Sequence, residues 1–165
     1  MLSILILSAC NNASFKEENK ATIKTVKTTF YEKAKKANKK SGEIQFYLPA
    51  GYEIKDESAN NIILKNDSDT YILFINPQED TSSDVVYHAT VEQYKELDTN
   101  ETFTKDNKFG FLTIKQLDEN KTNELIIGVG GAKITAQIKT SDMNEDSKAM
   151  IQIANSVKYT KKTKE

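Results

Sequence analysis

A Gly-Gly pair between two apolar segments constrains the fold of this chain more than any other feature. Residues 125–129 and 132–138 are rich in apolar and β-branched side chains, and Gly130-Gly131 separates them. Glycine reaches the positive φ angles that two-residue turns need, so the pattern predicts a tight antiparallel hairpin. We interpret Gly128 as a β-bulge position in the first strand. A phosphate-binding loop is disfavoured, because that motif opens a helix and strand-forming residues follow here.

Other segments predict several strands and two helices around this hairpin. Short apolar or alternating runs between turn residues indicate strands, which start near Ile44, Tyr52, Ile62, Thr70, Phe103 and Phe109. Residues 70–75 are apolar on both faces and predict a central strand. Helical periodicity predicts one helix over residues 85–97 after Asp84 as N-cap, and a second after Ser141 or Asp142. The core stripe of the second helix comprises Met143, Met150, Ile151, Ala154 and Val157.

The fold class that follows is α+β. We expect a mostly antiparallel sheet with one helix in mid-domain and one C-terminal helix packed on it, preceded by a partly helical stalk. The stalk is residues 11–42, where Ile23, Val26 and Phe30 recur at helical spacing and would dock it on the domain. The alternative is a disordered segment with an r.m.s. span on the order of 30 Å. Residues 15–40 hold nine Lys and three Glu, a net charge of +6, whereas the rest of the domain is acidic. The basic segment indicates either a tether near an anionic membrane surface or a solvated linker.

The N-terminal residues predict where the protein is located in the cell. Residues 2–7 are apolar apart from Ser3, and Ser8-Ala9-Cys10 follows them. Leu-Ser-Ala-Cys resembles the lipobox of bacterial lipoproteins, in which the cysteine sulfur receives a diacylglyceryl group and the preceding peptide is removed. The resemblance implies a lipid anchor on Cys10 at the extracytoplasmic face of the cell membrane. The alternative is a chance apolar start with a buried cysteine, which the polar residues 11–14 disfavour.

The domain organisation follows from these features. We expect a signal-peptide remnant over residues 1–9, a lipidated cysteine with a basic tether over 10–42, a single domain over 43–158 and a charged tail over 159–165. Cys10 is the only cysteine, so no disulfide bond forms within the chain. Every basic residue is Lys, and Asn is abundant, which is typical of Gram-positive coding bias. The sequence holds no run of about 20 apolar residues, the length that a spanning helix needs.

Two short motifs resemble a known domain family. Residues 46–52 read Phe-Tyr-Leu-Pro-Ala-Gly-Tyr, which is similar to the F-x-x-P-x-G-aromatic opening of PsbP/Mog1-like domains. Residues 153–158 resemble the closing helix of that family. The resemblance implies a sheet backed by helices, a fold found in accessory and assembly factors and in many bacterial lipoproteins. The family has no shared catalytic residues, so the resemblance implies an accessory role and no particular site.

No combination of residues predicts catalysis. His88 is the only histidine, and Ser83 and Asp84 lie close to it in the sequence. On a helix, Asp84 and His88 stand at i and i+4, which is typical of a surface pair and not of a catalytic triad. Residues 142–146 resemble the start of a calcium-binding EF-hand loop, but the required glycine and glutamate do not follow. The acidic domain and the absence of arginine disfavour nucleic-acid binding. We therefore predict a non-enzymatic protein with no metal site and no cofactor besides the lipid.

Two polar loops supply the candidate binding surface of the chain. Their acidic residues are Asp67, Asp69, Glu79, Asp80 and Asp84. If the two loops converge, their carboxylates form a surface for a partner or for a hard cation such as calcium. The leading hypothesis is a membrane-anchored, extracytoplasmic interaction module for an envelope protein or surface component. The alternative hypothesis is a lipoprotein that binds a small ligand or a cation.

Overall fold

The computed structural model describes residues 14–117 and 121–159. The predictions of a signal-peptide remnant over 1–9, of lipidated Cys10 and of a tail over 160–165 therefore lie outside the described residues, whereas Tyr159, the first residue of the predicted tail, pairs with Ile44 in a strand. Three α-helices are described: α1 (Phe15–Tyr31), α2 (Val85–Val91) and α3 (Met143–Ser156). The strands are β1 (Lys39–Ser41), β2 (Ile44–Phe46), β3 (Glu53–Glu57), β4 (Asn61–Asn66), β5 (Asp69–Ile75), β6 (Thr99–Lys105), β7 (Lys108–Gln116), β8 (Thr122–Val129), β9 (Ala132–Lys139) and β10 (Lys158–Tyr159).

The predicted hairpin lies inside a seven-stranded antiparallel sheet. The strand order is β3-β4-β5-β9-β8-β7-β6, and β8 pairs with β9 from Thr122–Lys139 to Val129–Ala132. A smaller antiparallel sheet has the order β1-β2-β10. Helix α3 packs on β8 and β9, as a C-terminal helix on a sheet was expected to do. The α+β prediction is therefore confirmed.

The two faces of the main sheet are covered differently. Helices α1 and α3 pack together on one face, which carries the larger hydrophobic core. Alternate residues of β9 are buried in this core: Ala132, Ile134, Ala136 and Ile138. On the other face, α2 covers a smaller cluster of Val86, Phe111 and Ile126. Since α2 has only seven residues, part of the outer face remains uncovered.

The strand that was predicted to be apolar on both faces is fully buried on one face and partly covered on the other, where Phe74 packs against the α2 cluster. β5 pairs with β4 and β9, as a central strand should. Its side chains nevertheless alternate, with Tyr71, Leu73 and Ile75 buried and Ile72 41% exposed. The apolar sequence indicated two covered faces, but α2 does not extend over Ile72.

Helix α1 packs into the core through Ile23, Val26 and Phe30, the residues through which the predicted stalk was expected to dock. Its Val26 is fully buried and its Phe30 is 2% exposed, and both lie in the same cluster as the sheet residues. The Thr25 hydroxyl also donates to Asn144 Oδ1 of α3 at 2.6 Å. The described core thus begins with α1, before the boundary at residue 43. Among the described residues, no helix is both long and apolar enough to cross a membrane.

Two local predictions are corrected by the structure. The mid-domain helix ends at Val91 and not at residue 97, because the N–H groups of Gln93 and Tyr94 donate to carbonyls three residues back and form turns. Gly128 is not a bulge, because it pairs in regular register with Phe111 and Lys133. A Cβ at position 128 would lie 2.2 Å from the Phe111 ring, so the glycine makes room for that ring.

The predicted N-cap residues occupy the expected positions without the expected hydrogen bonds. Asp84 precedes α2 and Asp142 precedes α3, but neither side chain accepts a hydrogen bond from its helix. Asp142 Oδ1 instead accepts from the Ser141 hydroxyl at 2.9 Å, and the Ser83 hydroxyl accepts from the Val85 N–H. Both helices therefore depend on packing against the sheet more than on their caps.

Candidate functional site

A groove of about 670 Å³ lies at the tip of the β8–β9 hairpin, and we call it the tip groove. One wall is the loop of residues 76–81, and the other is formed by the end of α3 and by β10. The interior of the groove is lined by apolar side chains, most of them buried: Ile75, Val129, Ala132, Ala154 and Val157. Polar and charged residues line its rim: Glu43, Gln78, Glu79, Asp80 and Lys158. An apolar interior with a few polar groups around it is typical of a binding site.

Backbone hydrogen bonds hold the 76–81 loop against the hairpin. The Asn76 N–H donates to the Gly131 carbonyl at 2.8 Å, and the Gly131 N–H donates to the Asp80 carbonyl at 3.1 Å. At the end of the loop, the Phe109 N–H donates to the Thr81 carbonyl at 2.8 Å. Because these bonds join the loop to two strands of the sheet, this wall of the tip groove is preformed.

Gly130 and Gly131 form the turn of the hairpin, and the 76–81 loop packs directly against them. A Cβ at Gly130 would lie 2.2 Å from the Asp80 carbonyl oxygen and 2.4 Å from Thr81 Cα. A Cβ at Gly131 would lie 2.7 Å from the Glu79 carbonyl oxygen. Real Cβ atoms do not approach backbone atoms this closely, so only glycine lets the loop pack on the tip. The wall of the groove therefore depends on both glycines.

Two carboxylates on the loop give the rim its negative charge. Asp80 Oδ1 accepts hydrogen bonds from the Ser82 hydroxyl at 2.6 Å and from the Ser82 N–H at 2.8 Å. These bonds lower the pKa of Asp80, the hydroxyl bond contributing most. Glu79 accepts a hydrogen bond from the Ser83 hydroxyl. The loop thus presents an ionised Asp80 whose orientation is fixed by its own neighbours.

A second cavity of about 340 Å³ adjoins the tip groove. The two cavities share three lining residues, Glu43, Pro77 and Tyr159. The second cavity also includes Glu57 and Ser58 at the end of β3. Because the cavities are contiguous, a ligand longer than a small molecule can contact both.

The structure separates the acidic residues that the sequence grouped together. Glu79 and Asp80 lie on the rim of the tip groove, whereas Asp67 and Asp69 lie at the turn that precedes β5. The seven residues of β5 span about 20 Å between these two places, so the loops do not converge. In residues 14–117 and 121–159, no three His, Cys, Asp or Glu side chains are grouped so that they could hold a metal ion.

Asp84 and His88 form the surface pair that their spacing predicts. His88 Nε2 lies 3.3 Å from Asp84 Oδ2, and both side chains are more than half exposed. The Ser83 hydroxyl, which precedes them in the sequence, donates to Glu79. The pair is therefore an exposed i, i+4 contact at the start of α2.

Sequence reasoning missed most of the tip groove, including Glu43, Val157, Lys158 and Tyr159. These residues lie far from the 76–81 loop in the sequence and meet it only because β2, α3 and β10 pack beside the hairpin tip. The local signals were the polar loop with Glu79 and Asp80, which indicated a candidate surface, and the Gly130-Gly131 pair, which indicated a turn but not the loop that packs on it.

A half-buried carboxyl on α3 is a further feature that the sequence did not indicate. Burial and, to a smaller extent, the negative charges of Asp69, Asp142 and Glu145 raise the pKa of Asp146 to about 6, while the nearby Tyr71 hydroxyl opposes this shift. Tyr71 is fully buried, and its ring lies 5.1 Å from that of Tyr52. Asp146 is therefore held in a site that favours its protonated form.

This pKa predicts a pH-dependent stability change. A folded-state pKa above the unfolded value stabilises the fold below about pH 4, and this contribution is lost as the pH rises through about 6. An amide resembles the protonated carboxyl, so Asp146→Asn should stabilise the protein near neutral pH and much less at acidic pH. Because the group is only half buried, solvent screening limits the gain to about 1–2 kcal/mol. Urea unfolding at about pH 7 and about pH 4 measures the free energy of unfolding of the variant and of the wild type at each pH. The control is Glu101→Gln, which replaces an exposed carboxylate on β6 and should change the free energy of unfolding by less than about 0.5 kcal/mol.

The chain matches no model of a known protein family, and no curated protein sequence is significantly similar to it.

Proposed function

We propose that this protein is a lipid-anchored, extracytoplasmic lipoprotein that acts as a non-catalytic interaction module. In this proposal, Cys10 carries the lipid and the tip groove binds a segment of an envelope protein or surface component. The observation that carries the proposal is the groove itself, which has apolar residues inside and carboxylates on its rim. A partner segment with apolar side chains would bury them inside, and the rim would select its charge.

The preformed wall supports a binding role. The 76–81 loop is fixed to the hairpin by backbone hydrogen bonds, so a partner would not have to order it on binding. Gly130 and Gly131 reserve space for this loop at the tip. A surface loop needs neither feature merely to connect β5 with α2, which favours a loop shaped for recognition.

A small-ligand carrier is the second candidate. It is favoured by the volume of the groove, about 670 Å³, which lies within the range of about 300–1,000 Å³ for small-molecule sites. The two candidates predict different behaviour of the purified protein. A small ligand would raise the melting temperature of the isolated protein, whereas an interaction module would be stabilised only by its partner.

Filling the groove should abolish partner binding. Gln78 is exposed and lines the groove, so Gln78→Trp would occupy part of its volume. We expect the anchored full-length variant to lose its partner after mild crosslinking in its own cells and capture, read by mass spectrometry. The loss should be at least about tenfold, because a blocked hot spot costs about 2 kcal/mol or more.

Two further variants make this experiment decisive. Gln137→Trp places the same side chain on an exposed position of β9, on the uncovered outer face, and should retain the partner. In membranes washed with concentrated salt, which removes proteins held only by charge, Cys10→Ala should be released and its partner recovery should fall. The groove proposal is contradicted when Gln78→Trp and Gln137→Trp recover the same proteins in equal amounts. The anchor proposal is contradicted when Cys10→Ala resists the salt wash as well as the wild type does.

A further inference from the structure

Helix α1 presents four lysines and a tyrosine on a single exposed stripe. Lys16, Lys20, Lys24, Lys27 and Tyr31 are all exposed, and we call them the lysine face. Their spacing of four, four, three and four residues places them within an arc of about 80°. The buried residues of α1 lie on another side of the helix, turned by roughly 130°: Thr22, Val26, Thr29 and Phe30. α1 therefore has a core side and a cationic side.

The lysine face is a surface and not a set of charges on a flexible linker. Val26 and Phe30 fix the rotation of α1 in the core. The Thr99 hydroxyl donates to Asn19 Oδ1 at 2.8 Å and ties the helix to β6. At the other end, Lys105 donates to the Tyr31 carbonyl, and its Nζ lies 5.9 Å from the centre of the Tyr31 ring. Lys105 thus adds a fifth positive charge beside the face.

The acidic residues of α1 lie at the ends of the lysine face. Glu17 and Glu18 are in the first turn of α1, and Glu32 follows its last residue. Glu17 accepts a hydrogen bond from the Ser14 hydroxyl at 3.0 Å, within the N-terminal cap. No acidic residue occurs between positions 18 and 32, so α1 itself places no negative charge in the centre of the face.

We propose that the lysine face lies on the anionic surface of the membrane and holds the domain side-on to it. This inference rests on the proposed lipid anchor, because Cys10 precedes Phe15 by five residues, which span at most about 17 Å. An anchored Cys10 therefore keeps the start of α1 close to the bilayer. Each lysine near an anionic surface contributes binding free energy, and Tyr31 is a residue type that favours the interface between water and lipid.

Vesicle sedimentation of the unlipidated full chain tests the face independently of the anchor. Cys10→Ser protein should bind vesicles of phosphatidylcholine with phosphatidylglycerol, and binding to pure phosphatidylcholine should be much weaker. Added salt should weaken binding, because screening shortens the reach of the charges. Replacing Lys20, Lys24 and Lys27 with Gln should reduce the partition coefficient by more than about tenfold.

The matched control also removes three lysine charges, but from exposed positions outside α1. Lys55, Lys95 and Lys139 are exposed and lie outside α1, and their replacement with Gln should change the partition coefficient by less than about threefold. Equal losses in both triple variants would overturn the proposal, because net charge alone would then explain the binding. Competition by inorganic phosphate, or equal binding to soluble polyglutamate, would also overturn it. Since the lipid is absent from this test, a failure here leaves the anchor and groove proposals to their own experiments.

Discussion

Replacing Gly130 with alanine is expected to destabilise the protein by about 3 kcal/mol or more and to displace the wall of the tip groove. Gly130 has a φ of +55°, a conformation that costs an alanine about 1 kcal/mol. The larger part of the loss comes from the added Cβ, which would lie 2.2 Å from the Asp80 carbonyl oxygen and must push the loop away. Urea unfolding measures the free energy, and amide exchange of Gly131 reports whether its bond to Asp80 persists.

Gly42 provides a matched control for this prediction. Its φ is +56°, almost the same as that of Gly130, but a Cβ there would meet nothing within 4 Å. Gly42→Ala should therefore cost only about 1 kcal/mol, and it should leave the exchange of the Gly131 N–H unchanged. If the two variants lose the same free energy of unfolding, backbone strain at φ explains the whole loss. The close approach of the 76–81 loop to Gly130 would then contribute nothing to stability.

The second large effect is expected at Phe30. Phe30→Ala should destabilise the protein by about 3–5 kcal/mol, the usual cost of removing a buried aromatic ring. Phe30 is 2% exposed, packs against the Phe103 ring with centroids 5.9 Å apart, and fills the space above Gly110. Urea unfolding, followed by circular dichroism, gives the free-energy difference.

Ile72→Ala is the control for Phe30, since Ile72 is 41% exposed on the outer face of β5. It should cost about 1 kcal/mol, mainly through strand propensity. The account of α1 would be contradicted by a Phe30→Ala protein as stable as the wild type. A chain that begins at residue 43 and unfolds at the same urea concentration as the full chain would also contradict the core role of α1. In that case α1 would be a stalk that the domain does not need for its stability.

Local patterns in the sequence were enough to predict most of the fold. The hairpin was recognisable because a glycine pair and two apolar runs lie next to each other, and residues 132–138 form almost all of β9. Helix α3 was recognisable because its core stripe covers a full set of helical turns. In both cases, the residues that determine the element are neighbours in the chain.

The apolar stripe of α1 predicted that the helix docks on the domain but not that it belongs to the core. The stripe is thin, and the threonines and lysines around it resemble a solvated tether. Phe30 is buried because Gly110 lies opposite it on β7, eighty residues later in the sequence. Four of the nine lysines in residues 15–40 lie on the exposed side of this packed helix, and the other five follow it. Only the tertiary structure shows that α1 is part of the core.

The sequence indicated one wall of the tip groove but not the other. Glu79 and Asp80 were recognised as part of a polar loop, and they do lie on the rim of the groove. Asp67 and Asp69 were grouped with them because both loops flank β5, yet loops at the two ends of one strand point away from each other. The opposite wall, with Val157 and Tyr159, comes from the C-terminal part of the domain and carries no local signal.

Site-specific photocrosslinking in the native cells shows whether the tip groove is the surface that binds a partner. A photoreactive residue at Thr81, on the wall of the tip groove, is compared with one at Ile72, on the exposed part of the outer face of β5. We expect one discrete crosslinked envelope component from position 81 that is absent from position 72 and is lost when Gln78→Trp fills the groove. The same products from both positions, or products from position 72 only, would contradict a binding role for the tip groove.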